Sequence, residues 1–190
     1  MRQQQKLALF GSLRTMTATA MLTAMSVVIG IFCKSFLNFG GGLFRVTFEN
    51  LPVLIVGILF GPLAGALAGA ATDIISYLLS PQVYPINLLV TLGATSIGLV
   101  AGLISRYIVK RPGYFRIVLS CAAAHVVGSM ILKPIGLYAF YGWAILWRVP
   151  LYLLIMPAEI LLICLMYRNK AVRSLFDDRG GKHHDVSASH

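Results

Sequence analysis

Charged side chains lie within, or at the margins of, long apolar runs at Arg45, Glu49, Asp73, Lys133, Arg148 and Glu159, with Lys34 nearby. An ionised group near the centre of a bilayer costs roughly 2.5–3.5 kcal/mol on insertion scales, so such groups face a cavity and pair with one another. Asp73 stands one helical turn before Tyr77, and Asn87 opens the next apolar run. Arg45 precedes Thr47, Glu49 and Asn50. Both groups fall at the same end of their segments, as do Lys133 and Arg148. Carboxylates and an amide accept and donate parallel hydrogen bonds, and guanidinium or ammonium groups hold anions. That chemistry is recognition of a polar ligand. The same residues also suit ion pairs that only fix helix packing, and the residue types alone leave both readings open.

Aromatic residues crowd the same end: Phe36, Phe39, Phe44 and Phe48, then Tyr77 and Tyr84, then Tyr138, Phe140, Tyr141, Trp143 and Trp147. Some form an interfacial belt of the kind Trp and Tyr make in any membrane protein. Others, with Tyr141 and Trp147 foremost, suit stacking on a flat heterocycle that has an anionic tail.

The elements that position these groups follow from composition. Of 190 residues, 58% are apolar and 12% charged, against about 25% charged in an average soluble domain. A spanning helix needs about 20 apolar residues. Six spans are expected, at about 15–33, 47–60, 62–80, 86–105, 115–132 and 143–167. Pro62 divides the second from the third because it lacks an amide proton and clashes with the preceding turn. One transmembrane domain then covers 1–170, with a polar tail at 171–190.

Charge placement supports this topology. Twelve of the sixteen basic residues fall at the termini or in the 106–116 connection, leaving Lys34, Arg45, Lys133 and Arg148 for the other end. Lys and Arg collect on the cytoplasmic side, so a multi-pass plasma-membrane protein with both termini in the cytoplasm is expected. The first helix is read as uncleaved. The net charge of +10 reports this topology and not nucleic-acid binding.

Gly57, Gly61, Gly65 and Gly69 recur every fourth residue, and Gly98 with Gly102 repeats the spacing. These glycines are read as internal contacts, since association in lipid depends on close packing. Thr17, Ala20 and Ala24 form a smooth stripe on the first helix, suited to receiving a helix of another protein. Cys33, Cys121 and Cys164 are isolated packing residues, and His125 stands alone in its helix as a packing or hydrogen-bonding residue. His183 and His184 belong to the solvated tail. There is no phosphate loop, zinc-protease motif or catalytic triad. No cofactor or metal is expected, and the chain has no means of hydrolysing ATP itself.

The segment RVTFENLPVLIVGILFGPLAGALAGAATD, from Arg45 to Asp73, resembles the substrate-binding S components of energy-coupling factor (ECF) vitamin transporters, most closely the folate-specific members. The likeness extends over nearly the whole chain through its size, the six spans, the Ala20-x3-Ala24 helix and the Arg148 segment. Leu132-Lys133-Pro134 departs from the Asn-Thr pair that some folate members carry before the last outer connection.

The resemblance implies an all-α membrane protein with the six-helix S-component fold. Its vitamin pocket would lie near the outer face, gated by connections at about 34–46 and 79–86. The helix-one stripe would dock on an ECF transmembrane coupling subunit carried by two ATPase subunits. For folate, Asp73 or Glu49 would hold the pterin, while Arg45, Arg148 and Lys133 would pair with the benzoylglutamate portion. Asn50, Tyr77, Tyr141 and Trp147 complete the expected substrate-binding set. Other vitamins or precursors (pantothenate, riboflavin, a queuosine precursor), a self-sufficient ion-coupled transporter, and a membrane enzyme or scaffold are the alternatives.

Overall fold

The computed structural model describes residues 13–39, 44–80, 87–109, 113–170, 172–174 and 176, with the side chains of 14, 38, 39, 44 and 45 outside it. The expected second gate at 79–86 therefore falls almost wholly outside the described residues, as do the triple glycine at 40–42, the first twelve residues and the tail from 177 onward.

The chain opens with α1 (Leu13–Phe36), which leads into two antiparallel strands of two residues each, β1 (Asn38–Phe39) and β2 (Phe44–Arg45). This small ladder is the only departure from an all-helical chain among the described residues. Two helices follow, α2 (Asn50–Phe60) and α3 (Pro62–Leu79). Between them Gly61 has φ +96°, a conformation that favours glycine, and Pro62 starts α3 where its missing N–H costs nothing. Next come α4 (Leu88–Leu103), extended by a π-wound turn at Ile104–Ile108, and α5 (Tyr114–His125).

The sequence places the end of the fifth span at Leu132. Winding instead continues as a π-helical stretch, Val126–Leu132, into α6 (Lys133–Tyr141). The widened turn absorbs the amide that Pro134 lacks, which is how membrane helices tolerate proline. Lys133 is thus buried within a continuous helix and does not sit at its outer margin. The chain reverses at Gly142, whose φ is +54°, through a 3-10 turn at Gly142–Trp147, and returns as α7 (Arg148–Arg168).

Four stretches are long and apolar enough to cross a bilayer: Thr15–Phe36, Pro62–Leu79, Leu88–Ile108 and Tyr114–Arg168. The last is 55 residues and folds back on itself, so it supplies two antiparallel rods. Tyr114 and Tyr167, with ring centroids 5.1 Å apart, mark where its ends meet. The remaining rod, α2, starts at Asn50 and not at Thr47, and its 11 residues reach only about 16 Å. Being short, it is enclosed by its neighbours, and Pro52 to Ile58 are all buried.

The glycine rows are internal contacts, as expected. A Cβ on Gly98 would overlap the carbonyl of Gly65, and one on Gly57 or Gly65 would overlap that of Gly98. Backbone therefore meets backbone where α2, α3 and α4 cross. Leu54, Ile97, Ile117, Cys121 and Ile163 fill the adjoining core, while Met21, Phe32, Leu78, Trp143 and Leu154 lie among the exposed apolar residues of the outer surface.

Candidate functional site

At the end of the bundle opposite Gly61, the residues before α2 turn inward. Ser26 of α1 donates its hydroxyl to the Glu49 carbonyl, which fixes the entry into the helix. Glu49 and Asn50 are both buried. The Lys133 Nζ lies 3.8 Å from Glu49 Oε1 and donates to Asn50 Oδ1 at 3.3 Å. α1 admits this arrangement because it carries Gly30 there. A Cβ on Gly30 would stand 2.7 Å from Glu49 Oε2 and 3.6 Å from the Cβ of Ser76.

Lys34, one turn beyond Gly30, donates to the Ser76 hydroxyl at 2.7 Å, and Ser76 reaches back to the Asp73 carbonyl at 3.4 Å. The Asp73 carboxylate accepts from Thr91 of α4 at 2.8 Å. Tyr77, half-buried, follows on the next turn. Asn87 serves the scaffold: its side chain caps α4 by accepting from the Leu89 amide and donates to the Gly136 carbonyl. The Glu49 and Asp73 groups thus flank one face of α1, with Gly30 between them.

α6 links these groups to the third. Tyr141, eight residues after Lys133, places its ring 5.6 Å from the Arg148 guanidinium carbon, within cation–π range, and Arg148 is buried. β2 packs against α7, which brings the Arg45 backbone to the helix that Arg148 opens; the Arg45 side chain lies outside the described residues. Trp147 differs from the rest of the expected set. With 65% of its surface exposed, it faces outward along with Trp143, which stacks edge-on with Tyr138 at 5.8 Å. The aromatics divide accordingly, with Tyr141 turned in and both tryptophans turned out.

The hydroxyl of Thr47 and the amide nitrogen of Asn50 are fully enclosed yet have no hydrogen-bond partner among the described residues. An enclosed donor without a partner costs about 1–3 kcal/mol. A ligand with acceptor atoms would recover that energy; Thr72 on α3 and Ser120 on α5 carry buried hydroxyls that are likewise without a partner among the described residues. Thr47 stood in the sequence as a member of the polar group after Arg45 but outside the expected substrate-binding set, and Ser26, Gly30 and Thr91 were not singled out. A threonine at the start of an apolar run carries no signal of its own.

Glu159 lies elsewhere, at 2.6 Å from His125 in the middle of the α5–α7 pair. His125 is therefore not alone, because its partner is distant in sequence but adjacent across the hairpin. Among the described residues no group of three or more His, Cys, Asp or Glu side chains is placed to hold a metal. What converges around Lys133 is a set of charged groups and enclosed donors.

Residues 14–176 match the family model described as ECF transporter, substrate-specific component. No curated protein sequence matches the chain. Among solved structures, the fold is similar to one titled "Crystal structure of FolT bound with folic acid", with a TM-score of 0.62 and 23% identity, covering 88% of this chain and 95% of that one. Since the family model spans nearly all of the described bundle, the chain belongs to the ECF transporter substrate-specific components: it is a membrane subunit that binds substrate and leaves ATP hydrolysis to its partners.

Proposed function

We propose that this subunit captures folate at the outer face of the plasma membrane and passes it to an ECF coupling module. The observation that carries the reading is the enclosed, unpartnered pair Thr47 Oγ1 and Asn50 Nδ2 beside Lys133 and Glu49. A pterin presents ring nitrogens, a carbonyl oxygen and an amino group on one edge. The Asp73 carboxylate complements that edge, because a carboxylate takes two parallel donors. The idle donors beside Lys133 suit the acceptor oxygens of the anionic portion. Lys133, Arg148 and Arg45 pair with the benzoylglutamate portion, and Tyr141 stacks on its ring. The fold likeness to FolT, a protein whose solved structure holds folic acid, supports folate over other vitamins.

The orientation follows from charge. Arg106 and Arg168 lie at the end away from the site, where Lys and Arg mark the cytoplasm. Both termini then face inward and the site faces out.

Titration of detergent-solubilised protein with folic acid, and separately with pantothenate and riboflavin, tests the ligand. Folic acid should bind and the other two should not. Binding of either of them in preference would replace folate while leaving the subunit's class intact.

Thr17, Ala20 and Ala24 are all exposed on α1, as a stripe that receives a coupling subunit requires. Ala20→Trp or Ala24→Trp should reduce folate uptake by cells at least tenfold yet leave folate binding by the purified subunit within twofold, because an indole ring holds two helices apart. Loss of binding in either variant would instead mean that the stripe packs within this chain.

A further inference from the structure

The His125–Glu159 pair is not used by the site described above, yet it is the most enclosed charged cluster in the molecule among the described residues, with Glu159 at 0% exposure and His125 at 1%. The His125 Nε2 meets Glu159 Oε2 at 2.6 Å across α5 and α7. On its other side, His125 Nδ1 lies 3.3 Å from the hydroxyl of Ser129, which is itself fully buried. By hydrogen-bond geometry His125 Nε2 and both Glu159 oxygens lack a partner among the described residues, so the 2.6 Å approach is a close contact of the two groups and not an aligned hydrogen bond. Ionisable groups this deep in a membrane protein occur where a proton or ion is handled.

The winding of the helix connects this pair to the substrate site. Cys121, His125, Ser129 and Lys133 are spaced by four. On an ideal α-helix each step of four overshoots a full circle by about 40°, so three steps would carry Lys133 about a third of a turn away from Cys121. The π-wound stretch Val126–Leu132 closes its bonds five residues on instead of four and turns less per residue, which offsets that drift. All four side chains are buried, so the ladder stays inside the bundle along its length. At its far end Lys133 meets Glu49 and Asn50. Lys133 stands two steps of that ladder, eight residues, beyond His125.

We propose that His125 and Glu159 form a proton-holding pair linked to substrate binding through Lys133. When an anionic group of the ligand engages Lys133, negative charge is added at the end of the ladder, and the pair takes up one proton from solution to offset it. No bond other than that to the proton forms or breaks. Affinity for an anionic ligand accordingly rises as pH falls through the range in which the pair titrates.

The other titratable groups around the pair are few. Cys121 stands on the same helix, while Tyr152 and Cys164 lie on the buried or half-buried positions of α7. α2 and α4 bring none, since Asn50–Phe60 and Leu88–Leu103 contain no titratable side chain. Glu49 and Lys133 complete the set.

The inference rests on the substrate-binding reading only for its ligand-dependent half, and the test separates the two. Nitrogen-15 spectra of histidine-labelled full-length protein in detergent follow the His125 ring without any ligand, assigned by its loss in His125→Gln. In the parent His125 should titrate, and in Glu49→Gln, where a nearby negative charge is gone, its midpoint should move to lower pH by at least half a unit. A ring that does not titrate between pH 5 and 9, or a midpoint unmoved by Glu49→Gln, overturns the linkage whatever the ligand is.

The second measurement is calorimetry with folic acid in phosphate and in Tris, whose ionisation enthalpies differ. The parent should take up between half a proton and one proton per ligand, and His125→Gln and Glu159→Gln should reduce this to near zero while still binding. Equal uptake in parent and variants shows that the pair merely braces α5 against α7. Absence of any folic acid binding by the parent sinks the folate reading alone, and the ligand-free spectra then decide the linkage.

Discussion

Gly98→Leu should yield no stable, monodisperse protein. The Gly98 carbonyl is the point on which α2 and α3 both close, since a Cβ on Gly57 or Gly65 would overlap it and a Cβ on Gly98 would overlap Gly65 in return. These are backbone atoms and cannot rotate away as a side chain does, so any side chain at Gly98 must separate whole helices. In lipid no hydrophobic force draws helices together; association depends on packing that close approach permits. Overpacking a well-filled interior costs about 1–3 kcal/mol and more where backbones must shift. Here α2 is affected most, because at 11 residues it is too short to hold its own position across a bilayer. Gly98→Ala should already lower the thermal aggregation midpoint in detergent by several degrees. Leu103→Ala, at an exposed position on the same helix, should leave it within a degree or two. A Gly98→Leu protein that elutes and melts like the parent would mean that α3 and α4 are not in backbone contact.

The glycine spacing made that crossing legible in the sequence, because only small residues at every fourth position let helices meet so closely. The apolar runs gave the rods, but a span ending at Leu132 does not foresee the π-wound stretch that carries the helix on through Pro134. This mattered for the site, since it draws Lys133 from the margin into the interior. Glu49, Asn50 and Lys133 were recognisable as charged or polar residues out of place in apolar runs, and the structure brings them together. Asp73 and Tyr77 lie across Gly30 from them, while Arg148 reaches Tyr141. Trp147 was chosen by type, and type does not tell which side of a 3-10 turn a ring will occupy. Thr47 and Gly30 had no signature because their roles are relational: one is an idle hydroxyl, the other an absent side chain, and each acquires meaning only from what stands beside it. The His125–Glu159 pair was hidden for a related reason, as 34 residues of chain and a reversal at Gly142 separate two partners that face each other.

Lys133→Met should weaken folic acid binding at least tenfold. Lys133 meets both Glu49 and Asn50, and methionine keeps most of its length and apolar bulk while removing the charge. A charge-assisted hydrogen bond to the ligand contributes about 1.5–3 kcal/mol, and a factor of ten corresponds to about 1.4 kcal/mol. The variant also takes the ammonium group from beside buried Glu49, and breaking a buried pair on one side costs about 3–5 kcal/mol. Lowered stability is therefore expected along with lowered affinity, and the two effects need separating. In the double variant Glu49→Gln/Lys133→Met the uncompensated carboxylate is gone, so the melting temperature should recover most of its loss, since neutral isosteres often replace a buried pair with little change in stability. Affinity should not recover, because the cation that meets the ligand is still gone. Pteroate, which lacks the glutamate, then locates the contact. If Lys133 holds the glutamate carboxylates, the single variant should lose far less affinity for pteroate than for folate; equal losses would move Lys133 to the shared part of the ligand. A double variant that is stable and binds folic acid as tightly as the parent would show that Glu49 and Lys133 are bracing for the helices, and the ligand site would have to be sought around Arg148 and Asp73 instead.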